Sequence, residues 1–416
     1  MKAVVFLSGL SMGDALSGVG RLWQDMFERL GYVFVEVRLS EPNGLAVLHE
    51  TANQHEIEAA ISFVGMAAEL GGMTKEGNQV NFWEHSRIPF LSLYGDSPAY
   101  FFDRHVLPGK MFAALYGFPE HYVLRKRLPR MPGMMATIPP LVVDPVPKEE
   151  IDFRAKEAGK LFFLKNGNDP DQLLRSWSSS LTEPLFEMLA DLAYEVAGNL
   201  GSPKINDLDT LVDTYFLEKG FDVDNLLNVR LFFIAQLDDY CRRLKSTLIA
   251  EAMMDLPVEV HGYNWDHLKF ESRRAKLVPV GDFATSRQLI KGALGIIDMS
   301  PNTGLVPHER PRRAFGAFTL CLTNKQEYFT NNFADHQSFT FDFTKEAIQE
   351  KVAEVLGNPK RYVELGIDVA EQFRRDEDPD AAARLLLNVA NLVRLQNANR
   401  FPNLQNYFVW PPKTIV

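Results

Sequence analysis

The sequence predicts an α/β protein of two parallel-sheet domains with a helical block set between them, and three observations carry this reading. The chain has 416 residues, more than the roughly 250–300 that one hydrophobic core organises, so two domains are expected. Short apolar runs alternate with helical periodicity towards both ends of the chain, the pattern of strands joined through helices into parallel sheets. Between about 171 and 255, by contrast, helical spacing persists with almost no strand signal. Hydrophobic residues at 46% and charged residues at 24% are the composition of a packed globular protein.

The elements follow in order. Residues 2–8 form an apolar run with β-branched content, a Gly- and Ser-rich segment follows, and residues 19–30 take up helical spacing. Tyr32 to Leu39 gives the next strand, so the chain opens on a βαβ unit. Ile57 to Val64 is a weaker strand, and Pro89 to Tyr94 is a buried one ending in the Gly95-Asp96-Ser97-Pro98 turn. Lys160 to Leu164 is a strand running into the polar turn Lys165-Asn166-Gly167-Asn168-Asp169. Beyond the helical block the alternation returns, with strands at 257–262, 277–281, 294–300 and 317–323 and a helix near 285–292. Amphipathic helices near 345–356, 359–375 and 380–397 complete the pattern.

Prolines and glycines between Leu128 and Pro147 forbid a long helix and mark the passage between domains. The expected organisation is a Rossmann-like domain over 1–145, a linker strand plus helical insertion over 146–256, a second Rossmann-like domain over 257–400, and a tail over 401–416 that packs back.

The formal net charge of −10 sets the surface against nucleic acid and anionic lipid, so no nucleic-acid partner is expected. Two basic clusters stand out locally, Arg125-Lys126-Arg127 and Arg310 with Arg312-Arg313, and they suit a small anion better than a polymer. Cys241 and Cys321 are too few and too far apart to suggest a disulfide framework or a zinc site. The first ten residues read as a strand rather than a cleavable leader, and no stretch reaches the roughly 18 apolar residues of a membrane span. A cytoplasmic protein without a transmembrane segment is the expectation.

The stretch from Ile296 to Asn324 is the most informative. A strand ends in a small polar loop, Ser300 to Thr303, a helix opens near His308, and Gly316 turns the chain into the next strand. In an open parallel sheet, ligands bind beyond the carboxyl ends of the strands, and a helix N-terminus suits phosphate. His308-Glu309-Arg310, Arg313-Ala314 and Gly316-Ala317-Phe318 then resemble the C-terminal half of GT-B glycosyltransferases, and within them the spore-maturation CgeB-like group. The resemblance covers the second sheet well and the first loosely, including the Asp96 turn, and leaves out the 171–255 block. It implies a GT-B-like fold, two Rossmann-like domains facing a cleft, with the acceptor in the first and a nucleotide-sugar in the second. It also implies that Glu309 accepts hydrogen bonds from the donor ribose hydroxyls.

Around that centre, Arg310 and Arg313 can neutralise phosphate, and Ser300, Asn302 and Thr303 can offer hydroxyl, amide and backbone contacts, with His308 at the helix start. Glu309 and Arg313 can equally form an i,i+4 helix pair. Lys165 and Asn166 suit a phosphate or sugar hydroxyls, although a polar turn alone looks the same. Asp14, in a glycine-rich loop without the G-x-G-x-x-G spacing, is either a base that deprotonates an acceptor hydroxyl or a helix-start carboxylate. Asp96 competes for the role of base, and His261 is either an acid/base or phosphate contact or a satisfied buried histidine. Asp238-Asp239 are either a nucleophile pair or helix-surface ion-pair partners. His85 and His105 lack metal-ligand spacing, and there is no convincing Asp-x-Asp loop, so a reaction without metal or other cofactor is expected.

The expected function is therefore transfer of a sugar from a nucleotide-activated donor to a hydroxyl on a surface glycan, a lipid-linked glycan or a protein, by an enzyme that can form homo-oligomers. A transferase of CMP-activated acidic sugars on the same fold, and a non-catalytic binding or assembly protein, are the alternatives.

Overall fold

A computed structural model describes residues 1–9, 20, 23–73, 77–138, 145–279, 283–375, 380–397 and 407–408. The chain divides into two compact units, Met1–Leu141 with Glu377–Val416, and Val142–Asp376. The first unit thus takes in the helix Ala381–Asn397, which the sequence pattern places in the second domain, expected to run as far as residue 400. An amphipathic helix does not announce which sheet its apolar face covers.

The first unit is built on β1 (Lys2–Ser8), β2 (Val33–Arg38) and β3 (Glu56–Phe63), a small antiparallel hairpin of β4 (Gly71–Met73) and β5 (Gln79–Asn81), then β6 (Phe90–Tyr94), β7 (Phe112–Tyr116) and β8 (Met134–Thr137). All the strands of its large sheet run parallel. The central strands are near-continuous apolar runs because both faces are covered. Glu58, 1% exposed in β3, meets Lys2 and Arg394, and Arg394 also donates to the carbonyls of Ile57 and Glu58 at 3.0 and 2.7 Å. This buried charge fixes the helix Ala381–Asn397 to the sheet.

The second unit carries β9 (Leu161–Leu164), β10 (Glu259–His261), β11 (Lys276–Val278), β12 (Gly295–Ile297), β13 (Leu320–Asn324) and β14 (Thr340–Phe341). The last strand along the chain, β15 (Tyr407–Phe408), adds to the edge of the first sheet beside β8. In space the second sheet runs β11-β10-β9-β12-β13-β14, all parallel, which is the doubly wound order 3-2-1-4-5-6. The Lys160–Leu164 strand, expected as a linker, is therefore the first and a central strand of this sheet. The helical block is the connection from β9 to β10, and its insertion separates that strand from its neighbours in sequence.

The block contains the helices Pro170–Ser180, Glu183–Gly198, Leu208–Glu218 and Leu227–Met253. The shorter three pack against Leu227–Met253, whose last turns (Ile249, Ala250, Ala252, Met253) enter the core of the second unit. Cys241 on this helix and Cys321 in β13 are both buried free thiols. Among the described residues no helix is long and apolar enough to cross a membrane.

Candidate functional site

The order 3-2-1-4-5-6 has one switch point, between β9 and β12, where connections leave in opposite directions and the strand ends open a crevice. The register sets Phe163 beside Ile297, so the chain leaves the sheet at Leu164-Lys165 on one side of the crevice and at Asp298 on the other.

Lys165 is half-buried on a rigid turn. Its amide donates to the carbonyl of His261 at 2.9 Å, and its carbonyl accepts from Trp265 Nε1 at 3.0 Å. Asn166 Oδ1 accepts from the Tyr263 amide at 2.9 Å, and the Gly167 amide donates to Tyr263 O at 2.9 Å. The loops after β9 and β10 are thus laced together. Two glycines permit it: a Cβ on Gly167 would lie 2.2 Å from the Trp265 ring, and one on Gly262, at φ +152°, would lie 2.3 Å from Lys165 O. Burial, with the charges of Arg310 and Arg242, pulls the Lys165 ammonium down to about 8.

Across the switch point Asp298 has no exposed surface and forms an ion pair with Arg310. Burial pushes its carboxyl above the ordinary carboxylate range, opposed by Arg310 and Lys165. Arg310 lies in the first turn of the helix Glu309–Gly316, which His308 caps by backbone conformation without a side-chain cap bond. Burial, with Arg310, Lys165 and Arg242 nearby, drives His308 well below the usual imidazole value, so it is neutral at pH 7. The cations here therefore come from Lys165, Arg310 and Arg242. Arg242 belongs to the long helix of the block, where its Nε meets Asp238 Oδ2 at 2.9 Å.

The structure gathers Lys165 and Arg310 at this crevice with Asp298, a residue in the Ile296–Asn324 stretch that sequence reasoning did not single out. Glu309 and Arg313 do form their i,i+4 pair, at 3.0 Å, and Arg313 also donates to Ser286 Oγ at 3.0 Å. The loop Ser300–Thr303 is buried, and much of its polarity serves the fold. The Ser300 amide donates to Asn324 Oδ1 at 2.8 Å, and Asn302 bonds to the long helix. Thr303 is fully buried, and its hydroxyl makes no hydrogen bond to any described residue. Asn166 is exposed.

His261 turns from the crevice to Glu259 Oε2, 3.1 Å away, and sits edge-on to Phe162. Its Nδ1 is buried and makes no hydrogen bond to any described residue. Asp96 is exposed just beyond the carboxyl end of β6 in the first unit. Asp14 lies outside the described residues. In the basic cluster of the first unit, Arg125 is fully buried and its guanidinium donates to the carbonyls of Pro129 and Arg130 at 3.0 and 2.5 Å, a structural use.

No family model matches the chain, and no curated protein does. Among solved structures, an alpha-glucosyltransferase in complex with UDP and a 13-mer DNA containing a central A:G mismatch aligns at 8% identity and a TM-score of 0.48, over 94% of this chain and 100% of that one. A ugt transferase from Siraitia grosvenorii in complex with UDP aligns at 7% identity and a TM-score of 0.38, over the same shares.

Proposed function

We propose that this chain is a glycosyltransferase that holds a nucleotide-activated sugar by its phosphates at the carboxyl ends of β9 and β12. The observation that supports this is the pairing of the switch point with the cations Lys165 and Arg310, both partly removed from water. When a glycosidic phosphate bond breaks, negative charge grows on the departing phosphate oxygen. Cations already fixed in a partly dry crevice stabilise that charge without reorganising. Asp298 fixes Arg310, and the laced loops fix Lys165.

Glu309 is assigned to the donor ribose. Its Oε1 is engaged by Arg313, which sets the carboxylate's orientation and leaves its other oxygen as an acceptor for a ribose hydroxyl. The acceptor is a hydroxyl of a glycan, a lipid-linked glycan or a protein. Turnover of a panel of UDP-, GDP-, dTDP- and CMP-sugars, followed by release of the nucleotide, tests the proposal. One member should be consumed by the wild type and not by Lys165→Met. A protein that consumes none of the panel, with or without a hydroxyl acceptor mixture, would overturn it.

A further inference from the structure

The long helix Leu227–Met253 places Asp238, Cys241, Arg242 and Lys245 at i, i+3, i+4 and i+7, on one face. That face meets the loop after β12. Asn302 Nδ2 donates to Asp238 Oδ1 at 2.7 Å and to the Asp238 carbonyl at 3.2 Å. Asn302 Oδ1 accepts from Lys245 Nζ at 2.8 Å and from Cys241 Sγ at 3.1 Å. Asn302 stands at φ +59°, in the left-handed region that asparagine tolerates better than other side chains. Asp238, Cys241, Lys245 and Asn302 are all buried, and the Lys245 ammonium lies 5.0 Å from the centre of the Phe343 ring. Arg242 differs: paired with Asp238, its side chain keeps 21% of its surface exposed.

Burying a lysine and an aspartate is costly, and the hydrogen bonds that both make to one amide offset that cost only while the geometry is held. What they hold is the loop that follows Asp298, together with the turn of helix that carries Arg242. We infer that Arg242 is a further phosphate-contacting residue of the donor site, supplied by the helical block, and that the Asp238–Asn302–Lys245 network is the brace that positions it. The block then forms one wall of the site and is not an appendage. This rests on the glycosyltransferase reading only in taking the ligand to be a nucleoside diphosphate.

The test compares Arg242→Gln with wild type in calorimetric titrations of UDP, GDP and dTDP and of the matching nucleosides. Loss of one charge-assisted contact should weaken the diphosphate about 10- to 100-fold and leave the nucleoside within about twofold, with Arg242→Lys recovering part of the loss. Equal diphosphate affinity in Arg242→Gln, or an equal fall for diphosphate and nucleoside, would overturn the inference and leave Arg242 a partner of Asp238. Wild type that binds none of the three diphosphates would overturn this inference by removing its ligand, while the glycosyltransferase reading stands or falls separately on turnover of the sugar-nucleotide panel, CMP-sugars included. For the brace, Lys245→Met should reproduce the selective loss. Because Lys245 is buried, Asn302→Gly, which keeps the left-handed backbone and removes only the amide, is the second variant. Unchanged diphosphate affinity in a folded brace variant would overturn the positioning role.

Discussion

Arg310 reaches back from the first turn of its helix to Asp298, a carboxylate without exposed surface at the end of the preceding strand. The pair makes the cation at the crevice and the fold around it interdependent. Arg310→Leu leaves a buried carboxylate with its main counter-charge gone, and we expect it to cost about 3 kcal/mol of stability. Asp298→Asn in the same chain should recover a large part of that cost while leaving anion binding weak. Urea unfolding of the two single variants and the double variant measures this. A double variant no more stable than Arg310→Leu would show that the pair is not coupled.

Lys165 carries a pH dependence. Its ammonium titrates at about 8 in the folded chain against 10.5 ordinarily, so the cation is present below about pH 8 and lost above it. Affinity for a phosphate ligand should fall as pH rises through that value, by up to about tenfold between pH 7.5 and 9. Binding near pH 8.5 should take up a proton, seen as a dependence of the calorimetric heat on buffer ionisation enthalpy. In Lys165→Met both effects should vanish. For the free protein the sign is opposite: between about 8 and 10.5 the unfolded chain binds the extra proton, so this residue adds stability as pH rises.

Gly262 is required twice, by its φ of +152° and by its approach to Lys165 O. Gly262→Ala should destabilise the second unit by about 2 kcal/mol or more and displace the Lys165 turn. Gly220, at φ +81° with nothing within 4 Å of where a Cβ would stand, serves as control and should lose about 1 kcal/mol. Thermal unfolding of the two alanine variants checks the contrast, and equal losses would show that the close approach is not needed.

Much of the fold is legible in the sequence. The strands at 2–8, 90–94 and 295–297 are short, largely apolar runs, and such runs read the same way in any buried parallel sheet. β7 carries the same signal, six apolar residues between Lys110 and Gly117, and sequence reasoning missed it. β8 has only four residues inside a proline-rich stretch, so its punctuation outweighed its hydrophobicity. At the candidate site, the placement of Lys165 just after a strand and of Arg310 at a helix start is legible from the run of the sequence. Asp238 and Arg242 are not. An i,i+4 pair looks alike on a solvated surface and against a loop some sixty residues later, and Asp239–Arg243 beside it, at 2.8 Å, is such a pair. One signal existed: the helix is apolar on several sides, through Phe233, Leu237 and Ile249, so a lysine and an aspartate within it needed partners.

Glu58 predicts an acid sensitivity in the first unit. Burial pushes its carboxyl up, but hydrogen bonds and charge from Lys2 and Arg394 outweigh that and hold it below its ordinary 4.5. The stability it contributes is therefore present above about pH 4.5 and lost as pH falls through the folded value. Arg394→Met should cost roughly 2 kcal/mol at pH 7, less than a fully buried pair because Lys2 remains and Arg394 reaches solvent. Its deficit against wild type should shrink between pH 5 and about pH 3. A deficit independent of pH would assign the loss to packing alone.

On the proposed reading, the switch point between β9 and β12 binds the phosphates of a nucleotide. The decisive experiment is titration of UDP, GDP and dTDP into wild type and into Lys165→Met at pH 7. One nucleotide should bind wild type and lose about tenfold or more in the variant, with the matching nucleoside unaffected. A nucleotide that binds both proteins equally would place the phosphates away from Lys165 and overturn the proposed donor site.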